Sequence, residues 1–286
     1  MAGGDLSSPA VTRALLERAG VRPSRARGQN FLIDSNVLSV IERIAKLSID
    51  MTVIEVGAGL GALTELLAAR CRFVYALESD RRLVGILEER LGDRTNVRLE
   101  HADAGRFDFE ELRSTGGFDT AQMVSNLPYS IAGSLVVDCL IKYPWIEAYT
   151  VMIQREVADR MTAMPGGRDY SAATVKIKSR ASISRAAEVS RNCFYPRPAI
   201  DSAIVRIDRL PDNIAESAGP GFDRLVTAAF SQRRKKLANS LASGLDADPA
   251  RIKAALSTIG REQSRAEQLS PEEFATLAEA LAGTEG

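Results

Sequence analysis

The fold of this chain is constrained most strongly by an apolar run that passes through glycines into a helical pattern. Thr52–Val56 consists of strand-forming residues, three glycines lie between positions 57 and 61, and apolar residues recur at helical spacing over Leu60–Cys71. A strand that enters a helix through a glycine loop is the first half of a βαβ unit. We therefore expect a mainly parallel sheet with helices on its faces.

The same alternation continues through the first two thirds of the chain. Further strands are predicted at Phe73–Leu77, Val97–Leu99, Ala121–Val124, Thr150–Ile153 and Ala203–Ile207, with a second helix at Arg81–Leu91. Strands that alternate with helices indicate the α/β class.

The strand signals stop after Asp208–Gly221, a segment that contains two prolines and two glycines. Beyond it, Asp248-Pro249 has the pattern of a helix N-cap followed by proline, and Ser270–Glu273 has that of a capping box. We divide the chain into a basic N-terminal arm (1–30), an α/β domain (31–208) and a small all-α domain (222–286). The arm has five Lys/Arg, among them Arg22, Arg25 and Arg27, against two Asp/Glu.

Several classes of protein are excluded by composition. With 45% hydrophobic and 26% charged residues the chain is an ordinary globular one, and no apolar run reaches the length of a membrane helix. The N-terminus lacks a signal-peptide pattern, and three widely spaced cysteines favour neither a disulfide framework nor a metal site. His101 is the single histidine, so chemistry built on histidine is not expected. We expect a cytoplasmic monomer without a metal.

The charges are unevenly distributed although they sum to zero. Residues 155–209 carry 11 Lys/Arg against six Asp/Glu, whereas residues 31–154 carry 12 against 18. A basic run, Arg233-Arg234-Lys235-Lys236, lies in the helical domain. Basic segments that flank an acidic body suit a polyanion such as a nucleic acid, although a solvated helix face gives the same pattern.

Acidic residues follow the glycine loop at the ends of the next two strands. Glu78 closes the second strand, where a carboxylate can accept ribose hydroxyls, and Asp103 follows the third strand, within reach of an adenine edge. Together they indicate an adenosine-containing cofactor. The spacing Gly57-x-Gly59-x-x-Ala62 also satisfies the dinucleotide pattern, so a nucleotide-dependent dehydrogenase stays open.

A second motif, Asn126-Leu127-Pro128-Tyr129, follows the fourth strand at the edge where α/β folds bind ligands. The proline stiffens the turn, and the Asn126 amide oxygen with a backbone carbonyl of Leu127 or Pro128 offers two acceptors for a planar amino group. Tyr129 offers a flat surface on which an aromatic base can stack.

These motifs together resemble the S-adenosylmethionine-dependent amino-methyltransferases, and further stretches narrow the resemblance to the ribosomal RNA adenine dimethyltransferases. The stretches are Gly28-Gln29-Asn30-Phe31-Leu32, Phe194–Pro198 with Asp201-Ser202, and Ala229–Leu237 with Asn239-Ser240. The last of them is similar to the small-subunit type of the family. The resemblance extends from about Pro23 to Leu281.

The resemblance implies a Rossmann-like methyltransferase sheet with a small helical domain, and S-adenosyl-L-methionine as cofactor. It assigns cofactor binding to Asn30, Leu32, Gly57, Glu78, Asp103 and Asn126. It also implies that Asn126 and the Leu127 or Pro128 carbonyl orient the target amino group, and that Tyr129 and Phe194 hold the base. Arg233–Lys236 would bind phosphates of small-subunit ribosomal RNA, free or in an assembling subunit.

Three other functions remain open at this point. Ser130, in place of a common asparagine, favours a large-subunit enzyme of the resistance type, whereas the basic helix motif argues against it. The second is a nucleotide-dependent dehydrogenase, which the glycine loop permits but which does not explain the Asn126–Tyr129 motif. The third is a ribosome-assembly factor that binds RNA, keeps the cofactor pocket and catalyses no reaction.

Overall fold

The computed structural model describes residues 6, 8–23 and 28–282. Its strands are β1 Phe31–Leu32, β2 Thr52–Val56, β3 Phe73–Glu78, β4 Val97–His101, β5 Ala121–Asn126, β6 Ile146–Gln154, β7 Ala181–Val189, β8 Phe194–Tyr195 and β9 Ser202–Arg209. Its α-helices are α1 Pro9–Arg18, α2 Ser35–Ala45, α3 Ala62–Arg70, α4 Arg81–Leu91, α5 Glu110–Gly116, α6 Ala132–Lys142, α7 Arg155–Thr162, α8 Ala172–Lys178, α9 Ile214–Ser217, α10 Phe222–Phe230, α11 Leu237–Leu245, α12 Pro249–Thr258 and α13 Pro271–Ala282. Among these helices, none has the length and apolar character needed to cross a membrane.

The chain forms two compact units, each built from two segments. The first unit comprises Met1–Ala158 and Ser184–Asp208, and the second comprises Asp159–Ile183 and Arg209–Gly286. The predicted division at 208 coincides with one of these boundaries. Residues 159–183, which the prediction placed in the α/β domain, lie in the second unit.

A seven-stranded sheet organises the first unit, in the order β4-β3-β2-β5-β6-β9-β7. The pairs from β4 to β6 are parallel, and β9 runs antiparallel to β6. All five residues of β2 are buried, as expected for a strand covered on both faces. The predicted α/β sheet is confirmed, with the strand order reversing between β2 and β5.

Aspartate N-caps begin the helices that follow β3 and β1. The Asp80 carboxylate accepts a hydrogen bond from the Arg82 amide and caps α4, and the Asp34 carboxylate caps α2 in the same way. The predicted arm contains helix α1, whose Leu16 is buried with Phe31 and Leu83. Arg22 is exposed, whereas Arg25 and Arg27 lie outside the described residues.

The second unit is helical around its own core. Tyr170 and Val175 from the first segment pack in one apolar cluster with residues of α10 to α13. Both predicted caps are confirmed: the Asp248 carboxylate accepts from the Ala250 amide, and Ser270 and Glu273 exchange the two bonds of a capping box.

Candidate functional site

A cavity of about 490 Å³ lies at the carboxyl ends of β2 and β5, where the strand order reverses. Open α/β sheets bind ligands at this position, because neighbouring loops there separate in opposite directions. The cavity is lined by every residue predicted to bind the cofactor and by the turn after β5: Asn30, Leu32, Gly57, Glu78, Asp103, Asn126, Leu127, Pro128 and Tyr129.

The glycine loop lies against the turn after β5. Gly57 has a φ of +80°, and a Cβ added there would lie 3.1 Å from two ring carbons of Pro128. Glycine is required at such a position both by the left-handed backbone and by the close approach.

Glu78 connects the glycine loop to the end of β3. One of its carboxylate oxygens accepts from the Gly59 amide at 2.9 Å, and the other accepts from the Ser79 and Asp80 amides at 2.8 and 2.9 Å. Because a carboxylate oxygen has two lone pairs, the oxygen facing Gly59 keeps an acceptor site for a ribose hydroxyl.

Glu55 is a carboxyl group buried inside β2 that also lines the cavity. Burial, together with the charge of Glu78, raises the pKa of Glu55 to about 8. One of its oxygens has no hydrogen-bond partner among the described residues. The cavity therefore contains a buried, protonatable acceptor in addition to the two predicted acids.

Asp103 and the segment around β1 also line the cavity. Asp103 uses one carboxylate oxygen to accept from the Gly105 amide at 3.0 Å, which leaves the second for a ligand. Strand β1 pairs antiparallel with β8, and Phe31 approaches Gly59 closely. The Asn30 side-chain nitrogen donates to the Gly28 carbonyl at 3.2 Å and so holds the chain before β1.

The turn after β5 carries the predicted acceptors. The Asn126 side-chain nitrogen donates to the Asn30 carbonyl across 3.4 Å, so its amide oxygen is the atom left to accept. The Pro128 carbonyl already accepts from the Ile131 and Ala132 amides, both at 3.1 Å. The Leu127 carbonyl has no hydrogen-bond partner among the described residues.

The two predicted aromatic residues differ in their placement. Tyr129 lines the cavity, and its hydroxyl lies 3.1 Å from the Ser202 hydroxyl. Phe194 does not line the cavity in this conformation, because it pairs with Leu32 across β1 and β8 and is buried with an exposed fraction of 3%. His101, which was not expected to act in chemistry, is exposed, with a ring nitrogen 3.2 Å from the Ser79 carbonyl.

The predicted basic run lies between α10 and α11 of the second unit, and its four residues are exposed. The Arg233 guanidinium donates to the Arg168 and Tyr170 carbonyls at 2.9 and 3.1 Å. Lys236 donates to the Gln263 side chain. The side chains of Arg234 and Lys235 have no hydrogen-bond or ion-pair partner among the described residues and are available for an anion.

Glu55, Phe31 and Ser202 had no assigned role in the sequence analysis. The signal for Glu55 was present, since a lone carboxyl inside an apolar strand is rarely buried without a purpose. The contacts of Phe31 with Gly59 and of Ser202 with Tyr129 join residues far apart in sequence, and no local pattern indicates them.

Comparison with known proteins identifies relatives of this chain over nearly its whole length. A family model described as ribosomal RNA adenine dimethylase matches residues 23–283. "Ribosomal RNA small subunit methyltransferase A" of Moorella thermoacetica is 39% identical over 96% of this chain and 98% of its own. The protein of the same name from Syntrophus aciditrophicus is 38% identical over 94% of this chain and 98% of its own.

Solved structures show the same fold. The 23S rRNA methyltransferase ErmE is 30% identical, with a TM-score of 0.66 over 88% of this chain and 100% of its own. A dimethyladenosine transferase from Plasmodium falciparum, 23% identical, has a TM-score of 0.72 over 86% of this chain and 95% of its own. The sheet is thus the Rossmann-like sheet of the S-adenosylmethionine-dependent rRNA methyltransferases, and the chain belongs to the ribosomal RNA adenine dimethylase family.

Proposed function

We propose that this protein transfers methyl groups from S-adenosyl-L-methionine to the exocyclic N6 of adenines in small-subunit ribosomal RNA, giving N6,N6-dimethyladenosine. The observation that carries the proposal is the pair of acceptors at the cavity, the Asn126 amide oxygen and the Leu127 carbonyl. They match the two hydrogens of a planar amino group.

The acceptor pair explains how a poor nucleophile reacts. The lone pair of the adenine amino group is delocalised into the ring, so the nitrogen must be oriented and its growing positive charge stabilised. Asn126 and Leu127 accept its two hydrogens and do both. Between the two carbonyls considered, Leu127 is the better candidate because the Pro128 carbonyl is occupied by the start of α6. No strong base is required, since the methylated nitrogen is very acidic.

The residues of the cavity fit the cofactor. When bound, S-adenosylmethionine supplies an electrophilic methyl group on a sulfonium. Glu78 and Asp103 each keep an acceptor site, for the ribose and the adenine respectively. Gly57 allows the methionine portion to approach the backbone, and Asn30 and Leu32 cover the cavity beside it.

The target base enters beside Tyr129, whose ring is the stacking surface. A duplex adenine must leave its stack to reach such a pocket. In this proposal Phe194 holds the other face of the base. Its side chain is buried in the present conformation, so β8 must move before Phe194 can reach the base.

The RNA is held by the second unit through Arg234 and Lys235, whose cationic groups are available for phosphates. Arg233 acts differently: its guanidinium supports the segment that contains Arg168 and Tyr170. A monomer acting in the cytoplasm on small-subunit ribosomal RNA, free or in an assembling particle, is part of the proposal.

The small-subunit target is supported by the names of the relatives from Moorella and Syntrophus, which match over nearly the whole chain. The second candidate is a large-subunit target, which the likeness to ErmE favours.

The test is transfer of tritium from labelled S-adenosylmethionine to unmethylated small ribosomal particles, with large-subunit RNA in parallel, followed by nucleoside analysis. Label in N6,N6-dimethyladenosine of the small-subunit RNA alone supports the proposal. Label only in the large-subunit RNA supports the second candidate. Absence of label from both RNAs contradicts both candidate functions.

Asn126→Ala tests the assignment of the acceptor. We expect the transfer rate to fall by about two orders of magnitude while RNA binding is kept, as when one stabilising hydrogen-bond partner is removed from an active site. Asn36→Ala, which changes an exposed asparagine of α2, is the matched control and should transfer normally. An unchanged rate in Asn126→Ala would refute the assignment.

A further inference from the structure

Among the residues that the structure describes, the hydroxyl of Tyr129 has one hydrogen-bond partner, Ser202, which is buried in β9. The Tyr129 and Ser202 hydroxyl oxygens are 3.1 Å apart, and the exposed fraction of Ser202 is 0%. Tyr129 itself is half-buried at the cavity, and burial raises the pKa of its phenol. A neutral phenol next to a neutral hydroxyl can donate or accept, so this hydrogen bond persists over the whole physiological pH range.

Ser202 is held in place by the backbone around it. It begins β9 and lies opposite Gln154, the last residue of β6, in the antiparallel register. The Arg155 amide donates to the Asp201 carbonyl at 3.1 Å, and the Asp201 side chain accepts from the Arg191 amide at 2.9 Å. The backbone of Ser202 is therefore fixed relative to the sheet, and its buried hydroxyl lies against the Tyr129 hydroxyl.

The other end of Tyr129 is also confined. Gly28 has a φ of +64°, and a Cβ added there would lie 3.0 Å from the Tyr129 amide nitrogen. The backbone of Tyr129 is thus packed against the segment before β1, while its phenol oxygen is bonded to β9. Without a partner for the hydroxyl, rotation of a tyrosine ring about χ2 is broad. Because a phenol O–H prefers the plane of its ring, the bond to Ser202 restricts the plane as well as the position.

We propose that Ser202 is a positioning residue for methyl transfer, which sets the plane of the Tyr129 ring on which the target adenine stacks. This rests on the proposed function, in which Tyr129 receives the base. A stacked base takes its orientation from the surface below it, so the ring plane determines how the amino group meets Asn126 and Leu127. Reacting groups must be held within a few tenths of an ångström for full rate.

The two hydroxyls can be removed separately. Ser202→Ala removes the partner and Tyr129→Phe removes the phenol oxygen, while both keep the aromatic ring. We expect each variant to lower the single-turnover rate of methyl transfer at saturating RNA by roughly three- to tenfold. The double variant should be no slower than the slower single variant, because both substitutions remove the same hydrogen bond. The KM for unmethylated small particles and the affinity for S-adenosylhomocysteine should change by less than about twofold.

Two further variants separate positioning from structural support. Ser202→Thr keeps a hydroxyl at this position and should restore the rate even if its additional methyl group lowers Tm. Tyr170→Phe removes the hydroxyl of another buried tyrosine, which has no partner among the described residues, and should transfer at the wild-type rate. If Ser202→Ala does not fold, Tyr129→Phe with Ser202→Thr still tests the same bond.

Wild-type rates in both Ser202→Ala and Tyr129→Phe would overturn the proposal. So would a double variant whose loss equals the product of the two single losses, since the hydroxyls would then act independently. Tyr129→Ala distinguishes this failure from a failure of the proposed function. A wild-type rate in Tyr129→Ala would show that the ring does not receive the base at all.

Discussion

Replacing Gly57 by alanine tests whether the approach of the glycine loop to Pro128 shapes the cofactor site. The substitution has two physical costs. At a φ of +80°, an alanine backbone is strained by about 1–2 kcal/mol relative to glycine. The added Cβ would also lie 3.1 Å from two carbons of the Pro128 ring, which cannot rotate away.

The contact, rather than the strain, should decide the effect on the cofactor. Pro128 directly follows the two acceptors Asn126 and Leu127, and its own carbonyl accepts from the Ile131 and Ala132 amides. A shift of Pro128 by a few tenths of an ångström therefore moves the turn together with its acceptors. Gly117→Ala is the matched control in the same unit: its φ is +62°, and an added Cβ would meet nothing within 4 Å. Both variants carry the backbone strain, and only Gly57→Ala carries the contact.

We expect Gly117→Ala to lose about 1–2 kcal/mol of unfolding free energy and Gly57→Ala to lose at least as much, measured by urea denaturation. Calorimetric titration with S-adenosylhomocysteine should show an affinity at least about tenfold lower, or ~1.4 kcal/mol, for Gly57→Ala alone. Wild-type affinity in Gly57→Ala would refute the reasoning, as would an equal loss of affinity in Gly117→Ala.

Two further predictions concern Glu55 and the basic run. The pKa of Glu55 is raised to about 8 in the folded protein. Between the ordinary carboxyl pKa of about 4.5 and this value, the native state holds a proton that the unfolded chain has lost. The free energy of unfolding should therefore fall with rising pH between about 4.5 and 8, by up to ~1.4 kcal/mol per pH unit. Glu55→Gln should remove this slope in urea unfolding, and identical slopes in both proteins would contradict it. Arg234→Ala should weaken binding of small-subunit RNA and reduce its salt dependence by about one phosphate contact, with little change in Tm. Arg233→Ala should lower Tm because two carbonyls lose a donor, and the reverse pattern would contradict the assignment.

Sequence best predicts the helices and strands whose signals lie within a single contiguous stretch of the chain. Helix α4 begins and ends at the predicted residues, since Asp80 caps it and its apolar spacing is regular. Strand β7 was missed because it lies at the edge of the sheet, where five of its nine residues are exposed and no apolar run forms. Helix α1 was taken as part of a basic arm, because its arginines are more conspicuous than its one buried leucine, Leu16.

The candidate site was likewise predictable from sequence only where its residues form contiguous motifs. The glycine loop and the turn after β5 are contiguous motifs, and the structure brings Gly57 and Asn126 to one cavity. The bond between Tyr129 and Ser202 depends on the order of β6 and β9 in the sheet, which residue spacing does not specify. The choice between the Leu127 and Pro128 carbonyls also required the hydrogen bonds of the folded chain.

The path of the chain through its two units has a consequence for exchanging parts between relatives. The chain passes from one unit to the other after residues 158, 183 and 208, so the helical unit is not a simple C-terminal appendage. A chimera joined only at 208 would keep its own Tyr170 and Val175 and receive foreign partners for them in the helical core. A transplant of the helical unit between relatives must therefore carry residues 159–183 together with the C-terminal helices.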